Sequence, residues 1–314
     1  MTYLQRAALK PRILYNDVLL LESGSSVLDF AEMMTRISNV KSPIPIIMWV
    51  TITGRSLSLK AGEYSVSTGD SIEDIVAQIV VGKVIEYSIT FPEGFEFRDI
   101  IDRLNSAKAL FREEGDLSTE LIKQEINTDH EALEGLFFPD TYHYIRSETP
   151  INILRRANKA LQTNLQDAWS YKDDHLPLNN PYELLILASI IEKEAVFAQE
   201  KAIISGVFIN RLNKNMRLQT DPTVIYGLGN EFSGGLTREL LTKDTPYNTY
   251  TRKGLPPTPI SCPGRDSLFA AAHPEVHDLF YFVAKGDGTH HFSKTFKEHR
   301  QAIKTYQSRN EPNK

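Results

Sequence analysis

The chain has 314 residues, 41% hydrophobic and 24% charged, a balance that supports a packed core and excludes a largely disordered polymer. Its formal net charge of −5 offers no basic face for nucleic acid and little attraction to anionic lipid. A single cysteine, Cys262, rules out an intrachain disulfide and leaves the redox compartment unread.

At the amino end, MTYLQRAALKPRILYNDVLLL has no basic stretch followed by an unbroken apolar segment, so no signal peptide or membrane helix is expected. Three segments then share one pattern: Gly, two residues, an apolar residue, any residue, Asp, two apolar residues. They begin at Gly24, Gly69 and Gly94. In the first two, Ser26 and Ser71 occupy an N-cap position, and Asp29 and Asp74 three residues on complete a box-like cap. The third, EGFEFRDIIDRL, keeps the apolar phase and Asp99 but brings Phe95 and Phe97 in place of capping residues. The β-like runs DVLLLES, GEYSVST and IEYSITFPE precede the three helix starts, which predicts small β-α units. Between the first two units, the apolar run Ile44 to Ile52 (IPIIMWVTI) is β-rich, contains Pro45 and is far too short to span a membrane; it is predicted as a buried strand. Strand-helix units with GDSIEDIV-type helix starts resemble LysM-like modules, which grip N-acetylated sugar polymers, over roughly residues 17–88.

From about residue 95 the chain turns helix-rich, with helical periodicity in RDIIDRLNSAKALF, INILRRANKALQTNLQDAWSY and PYELLILASIIEKEAVFAQEKAIISGVFINRL. Residues 215–265 are too rich in Gly, Pro, Thr, Asn and Asp for long helices and are read as ordered loops, which beside a helical core usually carry function. LFYFVAK, a turn at Gly286 to Gly288, HHFSKTF and a helix from about Phe296 predict a β-hairpin with a helical tail.

The helix Tyr182 to Glu194 follows Pro181, and its body LLILASII is apolar around most of its circumference, so it must be buried on nearly every side. It ends in Glu192, Lys193 and Glu194. On a helix, Leu187, Ile191 and Glu194 share a face, whereas Glu192 lies closer to Leu185 and Ala188. A glutamate that continues a buried stripe is desolvated, which raises its pKa and suits a general acid near neutral pH. An arbitrary Glu-Lys-Glu is more commonly a solvated helix end, and periodicity alone leaves both glutamates open. The segment MRLQTDPTVIYGLG, from Met216, adds groups suited to a sugar-binding wall: Gln219, Thr220 and Asp221 as donors and acceptors, and Tyr226 as an aromatic face. Asp221 has a simpler reading, as the cap of a turn before Pro222.

Other chemistries are weaker. His290 and His291, with His273, His277 and Asp278, could suggest a metal, but adjacent strand histidines face opposite sides. Ser189 and Ser261 lack a nucleophile-elbow glycine context or an obvious histidine partner. Cys262, between Ser261 and Pro263, is read as a packed small residue.

ASIIEKEA, VFINRL, MRLQTDPTVIYGLG, TPYNTYTRKGLPPTPISCPG and DSLFAAAHP, in this order, with EGLFFPDTYHY before them and LFYFVAKGDGTHHF after, resemble the YceG-like, endolytic murein transglycosylase family along essentially the whole chain. The resemblance implies an α+β fold: a LysM-like glycan-binding region over residues 1–88 and a mixed helical and β-hairpin catalytic domain over 89–314. It implies cleavage inside peptidoglycan glycan strands, at the β-1,4 bond between N-acetylmuramic acid and N-acetylglucosamine, with a 1,6-anhydro end. The family's catalytic glutamate, the second of the E-K-E motif, falls on Glu194. Gln219, Thr220, Asp221, Tyr226, Asn248, Thr249 and Tyr250 are the expected cleft residues, with no metal or other cofactor. Implied partners are glycan strands and cell-wall synthesis proteins, not nucleic acid. The family usually carries an N-terminal membrane helix that this sequence lacks, so the expected location is the periplasmic face of the inner membrane, reached through an anchor outside this chain. A non-catalytic peptidoglycan binder and a hydrolytic muramidase are the alternatives.

Overall fold

The computed structural model describes residues 12–55, 59–111 and 117–307. The first eleven residues of the amino-terminal stretch read above lie outside that set. No helix of the described residues is long and apolar enough to cross a membrane. The chain divides into two compact units, one of Met1–Ile89 with Ala107–Glu114 and His143–Pro150, the other of Thr90–Ser106, Gly115–Tyr142 and Ile151–Lys314.

The first unit runs β1 (Asp17–Leu21), α1 (Val27–Ile37), α2 (Ile44–Ile52), β2 (Gly62–Val66) and α3 (Ile72–Val81). β1 and β2 pair antiparallel, from Asp17 opposite Val66 to Leu21 opposite Gly62. Both expected capping boxes form. Ser26 accepts from the Asp29 amide while Asp29 accepts from the Ser26 amide, and Ser71 and Asp74 do the same for α3. The glycines that open the three repeats have φ of 86°, 94° and 77°, a left-handed turn that a side chain would strain.

Ile44–Ile52 is a helix, not the predicted strand. Pro45 sits in its first turn, where the missing N–H is harmless. Ile46, Trp49 and Val50 are buried, while Ile44, Met48 and Ile52 at four-residue spacing are exposed. With apolar residues on every face, the run carries no period that could separate helix from strand. Phe30, Met34, Trp49, Tyr64, Ile72 and Ile79 form the centre of this unit's core.

β3 (Tyr87–Thr90) pairs with β4 (Thr141–Tyr144) where the chain passes from the first unit to the second. The second unit contains α4 (Phe97–Ser106), α5 (Thr119–Ile126), α6 (Pro150–Ser170), α7 (Pro181–Glu194), α8 (Ala198–Asn213), α9 (Asp221–Leu228), α10 (Arg238–Thr242) and α11 (Arg265–Ala272), then β5 (Tyr281–Ala284), β6 (His290–Ser293) and α12 (Phe296–Gln307). The third repeat keeps half a capping box: Glu96, at the serine's place, donates its amide to Asp99 at 2.9 Å. Phe95 and Phe97 flank the cap rather than replace it.

α7 is the axis of this unit. Every residue from Leu184 to Ile191 is buried, and α8, α9 and α11 pack around it. The long helical run predicted through residue 212 breaks at Ala195, whose extended φ and ψ of −95° and 116° end α7 and let α8 begin three residues later. Ser189 donates to the Ile186 carbonyl and accepts from the Ile260 amide at 3.0 Å, so its hydroxyl tethers the Pro-rich loop to α7. Residues 215–265 hold the short helices α9 and α10, one 3-10 turn and the first residue of α11. The β5–β6 pairing and the closing helix follow the predicted hairpin and tail, giving an α+β architecture throughout.

Candidate active site

The two glutamates at the end of α7 have different surroundings. Glu192 is paired with the buried Lys201 at 3.2 Å and accepts from the Gly264 amide (3.0 Å) and the Ser267 hydroxyl (2.7 Å) at the start of α11. A carboxylate so neutralised and so fully bonded is a structural brace. Lys193 is exposed and reaches the Gly94 carbonyl at 3.3 Å.

Among the described residues no cation pairs with Glu194; the Thr220 hydroxyl donates to its Oε1. Burial pushes its carboxyl from the usual 4.5 up to about 7; the negative charge of Asp221 adds to the rise, while the Thr220 hydrogen bond and the Arg211 charge oppose it. The side chain keeps partial solvent access. It can therefore hold a proton near neutral pH and still meet a solute.

The chain around Thr220 is built to aim that hydroxyl. Gln219 has φ of 51°, and its amide donates to the Thr249 carbonyl at 3.1 Å. The Thr220 amide donates to Thr249 Oγ1 (3.0 Å), and Thr223 Oγ1 bridges the Thr220 carbonyl (2.7 Å) and Thr249 Oγ1 (2.9 Å). Thr220 is the N-cap residue of α9, a position where the hydroxyl ordinarily accepts from the first turn, yet it makes no capping bond. Its hydroxyl is committed to Glu194 instead.

Arg211 lies beneath this turn, buried, donating to the Phe280, Arg217 and Leu218 carbonyls and to Gln219 Oε1 (3.4 Å), with its guanidinium 5.2 Å from the Tyr281 ring centroid. Tyr250 donates to Asp221 Oδ1 at 2.5 Å, and burial, followed by that bond and charge, drives its phenol far above the usual range. Asp221 thus opens α9 as an exposed carboxylate fixed by a tyrosine beside Glu194, beyond the turn-capping role.

The sequence-derived candidates divide accordingly. Glu194, Gln219, Thr220, Asp221, Thr249 and Tyr250 converge. Asn248 is fully buried, its amide holding the Leu241 and Lys243 carbonyls and its Oδ1 the Tyr250 amide, so it shapes the loop that carries Thr249 and Tyr250. Tyr226 stands apart, bonded to Glu134 rather than to the Glu194 group. Sequence reasoning passed over Thr223, Arg211 and Glu134. Arg211 and Glu134 lie inside quoted motifs, where a lone charge among apolar neighbours (VFINRL, EGLFF) was the available signal. The discounted groups have other duties: His290 pairs with Glu200 at 2.7 Å, His273 with Asp173 at 2.9 Å, and burial pushes the Cys262 thiol well up, which leaves it unreactive.

A desolvated carboxyl, oriented by a threonine and flanked by a tyrosine-held carboxylate and polar loops, is an arrangement that can give and take a proton near neutral pH. The chain belongs to the YceG-like family, which it matches over residues 19–305. An endolytic murein transglycosylase of Bacillus subtilis is 31% identical over 313 residues, covering 92% of this chain and 84% of its own length. One from Streptococcus pneumoniae serotype 2 is 30% identical over 259 residues, 72% of this chain but 46% of its own length, so the chain spans about half of that relative. A crystal structure of a yceG-like protein from Listeria monocytogenes superposes with a TM-score of 0.60 at 30% identity, covering 91% of this chain and 98% of that one.

Proposed function

We propose that this protein is an endolytic lytic transglycosylase of peptidoglycan, with Glu194 as the only acid and base. The observation that carries this reading is the desolvated Glu194 carboxyl, pushed up to about 7 and bonded to Thr220. Hydrolytic glycosidases generally use two carboxylates, one of them to act as nucleophile or to activate water. Here one suffices, because the sugar supplies the nucleophile. Protonated Glu194 gives its proton to the glycosidic oxygen as the C1–O bond of N-acetylmuramic acid breaks, and N-acetylglucosamine leaves with a new hydroxyl. The glutamate carboxylate then takes the proton of that muramic residue's C6 hydroxyl, whose oxygen closes on C1 as a 1,6-anhydro ring. Glu194 ends protonated, and no water is consumed.

The remaining groups hold and polarise. Thr220 fixes the carboxyl, and Asp221, held by Tyr250, places negative charge where an oxocarbenium-like centre develops and keeps the Glu194 proton on at neutral pH. Gln219 offers exposed amide groups to the sugar rim.

Residues 17–88 are read as a LysM-like glycan grip, and the open groove of about 500 Å³ lined in part by Leu20, Glu22, Asp29, Glu32 and Met33 is the candidate surface. Peptidoglycan as the substrate is what supports work in the cell envelope. The test is Glu194→Gln on uncrosslinked glycan: cleavage is lost while binding is retained. Undiminished cleavage by the variant would remove Glu194 from the chemistry.

A further inference from the structure

Glu134 has no role in the step proposed for Glu194, yet it too is a buried carboxyl, one that burial and the nearby Glu96 charge push up to about 7 against the pull of its own hydrogen bonds. It accepts from the Phe97 amide at the start of α4 (3.0 and 3.2 Å to its two oxygens), from the Gly135 amide (3.2 Å) and from the Tyr226 hydroxyl (3.2 Å). The backbone contacts are those of a helix-capping carboxylate. The fourth has another character, since it ties the tip of a half-buried aromatic ring to a fixed group.

That ring belongs to a cluster. Tyr226 packs edge-on against Tyr247, with centroids 4.9 Å apart and planes at 63°, an arrangement in which the partner covers at most one face of either ring. The Tyr247 hydroxyl is bonded to Thr258 at 2.9 Å. Tyr182 lines an open cavity with Leu255, Pro256 and Pro257, the segment that leads to Thr258, the partner of Tyr247, and burial, followed by the Tyr247 and Glu134 charges, pushes its phenol up to about 12. Tyr182 is stacked on the exposed His130 at 4.1 Å. All three tyrosines keep partial exposure. Gly135 holds Glu134 in place: its φ is 72°, and a Cβ there would come within 2.4 Å of Pro259.

Clustered tyrosines of restricted rotation, half-covered and next to a carboxyl, suit a pyranose: ring faces take its C–H face, and polar tips take its hydroxyl or N-acetyl rim. Tyr226 follows Thr220 by six residues of α9, a rise of about 9 Å, which separates this cluster from the acid. We propose that Tyr182, Tyr226 and Tyr247 form a distal subsite for one N-acetylhexosamine unit of a β-1,4-linked glycan, with Glu134 as the positioning residue that anchors Tyr226. The subsite rests on the reading of Glu194 as a glycan-cleaving acid.

The test uses the whole chain. Binding of a β-1,4-linked N-acetylglucosamine hexamer is measured by calorimetry, and kcat and KM are measured on uncrosslinked peptidoglycan glycan, with thermal unfolding to confirm folding. Tyr247→Ala and Tyr182→Ala each weaken hexamer binding about tenfold and raise KM by a similar factor, with kcat held within about twofold. Tyr226→Phe, which keeps the ring but loses the anchor, falls between wild type and Tyr226→Ala. Glu134→Gln, which still accepts from Tyr226, retains affinity that Glu134→Ala loses. Unchanged hexamer affinity and KM in the folded tyrosine variants would overturn the proposal, as would a loss confined to kcat. If Glu194→Gln leaves cleavage intact while the tyrosine variants still lose hexamer affinity, the reading of Glu194 fails and the subsite stands.

Discussion

Replacing Glu194 by Gln removes a titration that the fold distorts. The carboxyl moves from the usual 4.5 to about 7, so the folded protein holds this proton more tightly than the unfolded chain does. Its contribution to stability is therefore fully present below about pH 4.5 and is withdrawn as pH rises through about 7. At about 1.4 kcal/mol per pH unit the loss is at most about 3 kcal/mol; with the partial solvent access of the side chain, about 1–2 kcal/mol is expected. In Glu194→Gln this loss is absent. The difference in unfolding free energy between variant and wild type widens by that amount from acid to mildly alkaline pH, a shift of several degrees in Tm. Urea unfolding at a series of pH values, followed by Trp169 in the second unit, reads it directly. A difference that stays constant with pH would refute the claim that Glu194 is desolvated in the fold.

The Asp221 charge raises the Glu194 pKa, so Asp221→Asn, which keeps an acceptor for Tyr250, moves the alkaline limb of the pH–rate profile below its wild-type position near 7; an unmoved or raised limb contradicts the assignment. Glu192→Gln leaves Lys201, among the described residues, with the Glu93 carboxylate at 3.9 Å, and chemical denaturation should show about 3 kcal/mol less stability, with kcat of the folded enzyme far less affected than in Glu194→Gln. Ser71→Ala breaks a capping box and should cost the first unit about 1 kcal/mol, followed through Trp49 fluorescence.

What the sequence exposed and what it hid have physical reasons. Ser26–Asp29 and Ser71–Asp74 were legible because a capping box is local, closed within four residues. The burial of Leu184–Ile191 was legible because a helix apolar on all sides has only one stable environment. Ile44–Ile52 differs for the complementary reason: a run apolar on every face has no period, and packing against the neighbouring helix α1 decides its state. The contrast between Glu192 and Glu194 depends on Lys201, Gly264, Ser267 and Thr220, partners 9 to 75 residues away, so residue spacing alone could not separate them. The aromatic character of Tyr226 is legible in sequence, but its link to Glu134 spans 92 residues and appears only in three dimensions.

In the proposed mechanism a single carboxyl, Glu194, acts on a sugar that closes on itself. Mass analysis of fragments released from intact, uncrosslinked glycan tests this most directly. The prediction is internal cuts whose muramic ends are lighter by one water than ordinary reducing ends. Ends of ordinary reducing mass would mean that water, not the C6 hydroxyl, attacks C1, and would contradict the account.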